Sequence, residues 1–405
     1  MDDLRDWCVL DARLGAWFAA PSLSVGAALV RRIADLVEGG SLPDVDLRAD
    51  GLRIRVGASG RTRDDDVELA GAISSAARDA GLAADPGALQ SVRLTVDAAD
   101  RRSVVSFWQS VFGYEPVDAD TLGDPLRRDP TISFGEGRPG AEPKPVRDRF
   151  HVDVVRPPDA VQAARAAVGG EPFGVYQLTL VDADGNEVDL VPGDRLAEGP
   201  ETADWRVVFG AVTFYPVASP ARAGELASAV AELADEAGLP LLVDLRPGGV
   251  TIDSGKDRWE EDFGGQRFVD LAARIQTAAR ELGLSADPSG ARFVQFCIDA
   301  VDVAAVRAFW TSVLGYRHDP RAFLTDIHDP RWLDPVIMFQ PMDPSDAARR
   351  AHRNRAHLDL VVPPDRVDAR TAAAVAAGGR VVADGAPDRR TVLDPEGNEL
   401  TIVTR

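Results

Sequence analysis

Cysteine and histidine are scarce in this chain. Two cysteines, Cys8 and Cys297, cannot build a disulfide framework or a thiolate zinc cluster. The five histidines are His151, His318, His328, His352 and His357, so residues 1–150 and 152–317 hold none. No run approaches the roughly 18 apolar residues of a membrane helix. The start, Met1-Asp2-Asp3-Leu4-Arg5-Asp6-Trp7, has neither the cationic stretch nor the apolar core of a signal peptide. No glycine-rich phosphate loop follows a strand pattern, which leaves nucleotide hydrolysis without support. Positive charge is in deficit, with 45 Lys and Arg against 65 Asp and Glu and a net charge of −20. That sign repels nucleic-acid phosphates and anionic lipid alike. The expectation is a cytoplasmic protein with neither nucleic acid nor membrane as partner.

What is present suffices for ordinary cores: 45% of residues are hydrophobic and 27% charged. At about 150 residues per domain, 405 residues imply roughly three domains rather than one core. Self-similarity refines this. Gly81-Leu82-Ala83-Ala84-Asp85-Pro86 returns as Gly283-Leu284-Ser285-Ala286-Asp287-Pro288. Phe107-Trp108 and Gly113-Tyr114 return as Phe309-Trp310 and Gly315-Tyr316. Arg149-Phe150-His151-Val152-Asp153 matches Arg355-Ala356-His357-Leu358-Asp359, and Gly185-Asn186-Glu187 matches Gly397-Asn398-Glu399. Upstream, the Leu42-Pro43 segment running to Arg48 echoes the Leu239-Pro240 segment running to Arg246. The offset, near 200 residues, is too long for a solenoid and reads as a duplicated domain pair. The predicted order is A–B–A′–B′, with modules 1–88, 89–195, 196–290 and 291–405.

Module A reads as helix (25–37), two short strands (45–48 and 52–56) and an alanine-rich helix (66–80). A′ repeats it, with its first helix at 226–237, strands at 241–245 and 250–253, and its second helix at 267–282. B opens with a strand (92–96) and a helix (103–112) stopped by Gly113. Strands follow near 131–134, 149–155, 175–181 and 187–191, the last two joined as a hairpin through Gly185-Asn186. B′ has the same order. The fold class is α+β.

Alternation along the B strands separates the faces. Arg93, Thr95 and Asp97 share a face, as do His151 with Asp153 and Glu187 with Asp189. In B′ the corresponding sets are Gln295, Cys297 and Asp299, then His357 and Asp359, then Glu399 and Thr401. The opposite face is apolar throughout. Two readings stand open: a solvated outer face, or a curved sheet whose polar face lines a ligand cavity. Two of the five histidines at matched positions on that face favour the second. Each can equally be a structural histidine paired with the Asp two residues on.

The patterns Phe309-Trp310-x-x-Val313-Leu314-Gly315-Tyr316, Arg355-x-His357-Leu358-Asp359-Leu360 and Asp394-Pro395-Glu396-Gly397-Asn398-Glu399 resemble the glyoxalase-like branch of the vicinal oxygen chelate superfamily. B carries looser copies. The resemblance implies paired βαβββ units that form two cup-shaped barrels. A and A′ resemble, more weakly, pterin-4a-carbinolamine dehydratases, through the helix, the Leu42–Arg48 and Gly51–Val56 strands and the Asp66–Ala70 helix start. That family works through histidines that these modules lack, so A and A′ read as degenerate packing modules. Asp44 and Asp66 are the acidic groups whose mutation would test for residual activity there.

Metal-dependent relatives imply three ligand positions, on the first, middle and last strands. Carried onto B these are Arg93, His151 and Asp189; onto B′ they are Gln295, His357 and Thr401. A guanidinium cannot ligate a cation and a threonine hydroxyl is a poor third ligand, so neither half presents a full triad. A composite of Asp189, His151, Gln295 and His357 would be complete. Arg93 can instead neutralise Asp153 and Asp189, or bind an anionic group. No cofactor is expected, with a divalent metal as the alternative. Trp332, Phe323 and Met338 are candidates for an apolar wall, while Cys297 reads as buried and inert, with no His near it in sequence. His318, His328 and His352 read as loop or surface residues, and Phe107-Trp108 and Phe309-Trp310 as core.

The predicted function is binding, sequestering or metal-free conversion of a small organic molecule, as a monomer with internal pseudo-twofold symmetry or a homodimer. His151, His357, Asp153 and Asp359 are the expected catalytic groups. Arg93, Asp189, Gln295, Glu399, Thr401 and Trp332 are the expected ligand contacts. A metal-dependent lyase, isomerase or dioxygenase is the second reading, and residual pterin dehydration the third.

Overall fold

A computed structural model describes residues 4–57, 63–136, 147–382 and 388–404. The chain forms two compact units, each built from two separated segments: Met1–Leu89 with Gly193–Arg292, and Gln90–Pro192 with Phe293–Arg405. Among the described residues no helix is long and apolar enough to cross a membrane.

The first unit is built on a nine-stranded sheet, with helices Leu23–Leu36, Asp64–Asp79, Pro220–Ala237 and Gln266–Glu281. Each half opens with a strand pair that the sequence reading missed: Cys8–Leu10 with Arg13–Ala19, and Arg206–Val208 with Gly210–Pro216. Helices Leu23–Leu36 and Pro220–Ala237 start at Ser22 and Ser219, whose hydroxyls accept the Val25 and Arg222 N–H groups. Their apolar stripes join one buried core around Leu29, Ile33, Leu226 and Val230. At the centre of the sheet the strands Asp44–Arg48 and Leu242–Arg246 pair antiparallel, bringing Asp46 opposite Asp244. Two like charges there are held by arginines: Arg53 and Arg246 on Asp46, Arg48 on Asp244. Burial pushes the Asp46 carboxyl upward, but Arg246, Arg53, Arg55 and Arg48 outweigh it and hold it well below the usual carboxylate range.

The second unit contains two mixed sheets, and each draws strands from both halves of the duplication. One sheet, in spatial order, holds Thr179–Val181, Glu187–Pro192, Phe150–Arg156, Phe293–Ala300, Val336–Pro341, Ile327–His328 and Arg317–His318. The other holds Arg380–Val381, Arg389–Leu393, Glu399–Val403, Ala356–Val361, Ser91–Ala98, Ile132–Glu136, Thr121–Gly123 and Glu115–Pro116. The late strands of B therefore continue into the early strands of B′, and the reverse. The expected 175–181 strand shrinks to Thr179–Val181, leaving Val175 and Tyr176 exposed, and the helix Pro158–Val168 was not anticipated. Its Pro157-Pro158 start and alanine-rich body are ordinary helix signals.

The repeated sequence motifs prove to be a shared clamp. Asp182 Oδ1 accepts the N–H groups of Asp184 and Asn186, and its Oδ2 accepts the Asn186 amide and the Trp108 indole N–H. Asp394 repeats every bond with Glu396, Asn398 and Trp310. Burial raises Asp394, and the bonds from Asn398 and Trp310 oppose that rise. The paired tyrosines behave likewise: Tyr114 donates to the Pro130 carbonyl and Tyr316 to that of Pro335. Gly113 and Gly315 end their helices at φ of 64° and 68°. That left-handed backbone favours glycine, and a Cβ there would also push aside the Arg156 or Arg370 guanidinium, 2.5 and 2.7 Å away. The apolar faces of both sheets and their helices close over one core that includes Trp108, Phe134, Phe296 and Trp310.

Candidate functional site

Register decides which polar groups meet. In the first sheet Glu187 pairs with His151, His151 with Cys297, and Cys297 with Met338. The neighbouring row runs Asp189, Asp153, Gln295 and Val336. Paired residues project to the same side, so these form one continuous face. In the second sheet His357 pairs with Thr95 and Thr95 with Ser133, while the next row runs Thr401, Asp359 and Arg93.

This sorting corrects three expectations. His357 is not on the sheet of His151, so the four-residue composite does not form; Asp189, His151 and Gln295 do share a sheet. Arg93 stands opposite Asp359 rather than beside Asp153 and Asp189. Cys297, expected to be buried and inert with no His near it in sequence, is buried, but across the sheet it is the direct partner of His151. All three follow from one cause, the exchange of strands between the halves, which no local pattern encodes.

The face carrying His151 is buried and rich in acceptors. His151 and Asp153 are 7% and 6% exposed, Gln295 1% and Cys297 fully covered. His151 Nε2 lies 3.7 Å from Asp153 Oδ1, and Gln295 Nε2 donates to Asp153 Oδ2 at 2.7 Å. The Cys297 thiol also hydrogen-bonds Asp153. Burial raises the Asp153 carboxyl, partly offset by His151 and Gln295. Glu187, at the end of the row, is held by a two-pronged bond from Arg147. Two buried oxygens, Gln295 Oε1 and Asp189 Oδ1, have no hydrogen-bond partner. Both are acceptors open to a ligand's donor or a cation; on the other face His357 Nδ1 and Asp359 Oδ1 are likewise without a hydrogen-bond partner.

The face carrying His357 shares half of this chemistry. His357 Nε2 is 3.9 Å from Asp359 Oδ1, and Asp359 takes a hydrogen bond from Thr95 at 2.9 Å. Glu399 is clamped by Arg353, which also bonds Asp97 at 2.9 Å. The positions of Cys297, Gln295 and Asp189 are filled here by Thr95, Arg93 and Thr401.

The remaining candidates disperse. Trp332 stacks on His328 at 4.4 Å between ring centres, and Phe323 is largely exposed. His352 sits 3.5 Å from Asp148, and His318 is exposed. A groove of about 590 Å³ belongs to the first unit, lined by Leu233, Arg274, Gln276, Arg280 and neighbours, and no histidine or cysteine contributes to it.

A family model for the glyoxalase-like domain matches residues 93–191 and 295–403, just over half of the chain. This chain belongs to the glyoxalase-like domain family. Both matches lie within the second unit and span both sheets. No curated protein matches the chain. Glyoxalase I from Zea mays is similar at 10% identity, covering 78% of this chain and 93% of that one at a TM-score of 0.37. A glyoxalase/bleomycin resistance protein from Albidiferax ferrireducens T118 is 17% identical over 27% of this chain and 94% of its own, at 0.21. The cppA protein from Streptococcus pneumoniae TIGR4 is 9% identical over 78% and 98%, at 0.35. The assignment stands on the family match alone.

The divalent metal that the resemblance implies has more candidate ligands on the face carrying His151 than on the face carrying His357. One ligand atom each from His151, Asp153 and Cys297 lies within 4.8 Å of the other two. Nitrogen and oxygen bonds of 2.0–2.2 Å at a tetrahedral angle place ligand atoms about 3.3–3.6 Å apart, so the 3.7 Å His151–Asp153 spacing needs only a slight closing to hold an ion. Around His357 the histidine and aspartate are kept, but Thr95 replaces the thiol and the Arg93 guanidinium stands opposite Asp359, so that face offers a cation one ligand fewer and a positive charge nearby.

Proposed function

We propose that this protein binds a small organic molecule on the face carrying His151, and that the face carrying His357 is a diverged copy with no equivalent activity. The observation behind this reading is that Cys297, Gln295 and Asp189 stand beside His151 and Asp153 on one buried face, with Gln295 Oε1 and Asp189 Oδ1 open as acceptors, where the other face has Thr95, Arg93 and Thr401. Groups of this kind bind hydrogen-bond donors or cations. His151 and Asp153 act as the proton-handling pair, Gln295 holds the Asp153 carboxylate, and Asp189 and Glu187 border the ligand. Arg93, His357, Asp359, Glu399 and Thr401 belong to the diverged face, where Arg93 suits an anionic group.

The second reading, metal-assisted conversion as a lyase, isomerase or dioxygenase, is favoured by the convergence of His151, Asp153 and Cys297. A divalent ion there would act as a Lewis acid toward ligand oxygens. Residual pterin dehydration finds no support in the first unit, whose residues 1–89 and 193–292 contain no histidine. We assign that unit a packing role.

A thermal-shift screen of small amines, amides and hydroxy acids tests the primary reading. Compounds that raise Tm in the wild type should lose most of that shift in His151→Ala and keep it in His357→Ala. Equal loss in both variants, or none in either, overturns it.

A further inference from the structure

We infer that Cys297 supplies a thiolate ligand to a single divalent metal ion per chain, making the face carrying His151 selective for thiophilic metals such as zinc, cobalt and cadmium. The inference rests on the reading of that face as the working site and adds the ligand that sets its metal preference. Three observations carry it. Cys297 is the cross-strand partner of His151, and its Sγ stands with a His151 nitrogen and an Asp153 oxygen inside a 4.8 Å set. The Gln295 amide, 1% exposed, reaches two of these three groups, with Nε2 on Asp153 Oδ2 at 2.7 Å and 4.0 Å from Cys297 Sγ. Its Oε1 is left without a partner in this acceptor-rich setting. Finally, the duplication supplies an internal control, because Thr95 stands where Cys297 does while His357 and Asp359 are kept.

The donor set is mixed: a soft sulfur, a borderline imidazole and a hard carboxylate. Sulfur and nitrogen favour zinc or cobalt, while magnesium and calcium require oxygen-rich shells. On binding, the Cys297 S–H bond breaks, its proton passes to solvent and the sulfur electron pair goes to the metal. Gln295, already bonded to Asp153, fixes that carboxylate as an outer partner.

Cobalt(II) titration of the metal-stripped full-length chain provides the test. The expected result is an intense sulfur-to-cobalt charge-transfer band that saturates at one equivalent. The band should vanish in Cys297→Ser and persist in Cys8→Ser and Thr95→Ala. Zinc affinity should fall more than about 100-fold in Cys297→Ser, beyond the loss from disturbing an outer partner. Cadmium-113 NMR of the wild type reads sulfur ligation directly, so the test survives even if Cys297→Ser fails to fold. Cobalt bound without the band, a band that survives Cys297→Ser, or a cadmium shift typical of nitrogen and oxygen ligands alone overturns the inference. Ligand-induced thermal shifts that persist in the stripped protein and still depend on His151 would keep the binding reading while the metal inference falls.

Discussion

The two mixed sheets of the second unit descend from one duplicated sequence and have kept different things. They share the clamp bond for bond: Trp108 on Asp182 and Trp310 on Asp394, Tyr114 on the Pro130 carbonyl and Tyr316 on that of Pro335. They also share a histidine with an aspartate two residues on, and an arginine on a glutamate. They part at Cys297 against Thr95, Gln295 against Arg93, and Asp189 against Thr401. Bonds that both halves of the fold require have persisted; the apolar faces have changed only among hydrophobic residues, as in Leu94 against Phe296, while the polar faces have changed in chemistry. The clamp motif therefore marks architecture, and the positions where the repeats disagree around the shared histidine–aspartate pair distinguish one face from the other.

Breaking what the sheets share should have the largest effect. Asp394→Ala strands the Trp310 and Asn398 donors in the core and should cost about 3–5 kcal/mol. Asp182→Ala should match it within about 1 kcal/mol by urea denaturation. Clearly unequal losses would mean that the clamps are not equivalent.

Converting one face into the other comes next. The triple change Arg93→Gln, Thr95→Cys and Thr401→Asp should raise bound zinc from one to two per chain in equilibrium dialysis. A count that stays at one would show that the difference lies in the backbone rather than in these three side chains.

The smallest effects are expected at the arginine–glutamate pairs. The Arg147 and Arg353 side chains are 51% and 37% exposed, so each pair is worth only about 0–1 kcal/mol after solvent screening. Arg353→Met should nonetheless cost more than Arg147→Met, because Arg353 also releases Asp97.

Much of the architecture was legible in the chain itself. The alternation of half-buried and buried positions along Ser91–Ala98 follows its alternation of Arg93, Thr95 and Asp97 with Val92, Leu94 and Val96. The helices before Gly113 and Gly315 end where those glycines stand. The opening strands of the first unit escaped because Arg13–Ala19 is buried along almost its whole length and shows little alternation. At the site, the polar face and the two histidines were readable, since period-two alternation is a local property. Strand order is not local. Whether His151 meets Gln295 and Cys297 or Arg93 depends on pairings between residues more than 100 positions apart, and so the ligand sets first came out crossed. Cys297 had already been placed on the polar face; its missing neighbour was across the sheet.

The central claim is that only one of the two matched faces is a functional centre. A crystal of the full-length chain grown with zinc, measured at the zinc absorption edge, tests it most directly. The account predicts one anomalous peak per chain, bonded to His151, Asp153 and Cys297. A peak at His357 and Asp359, or peaks of equal height on both faces, would contradict it.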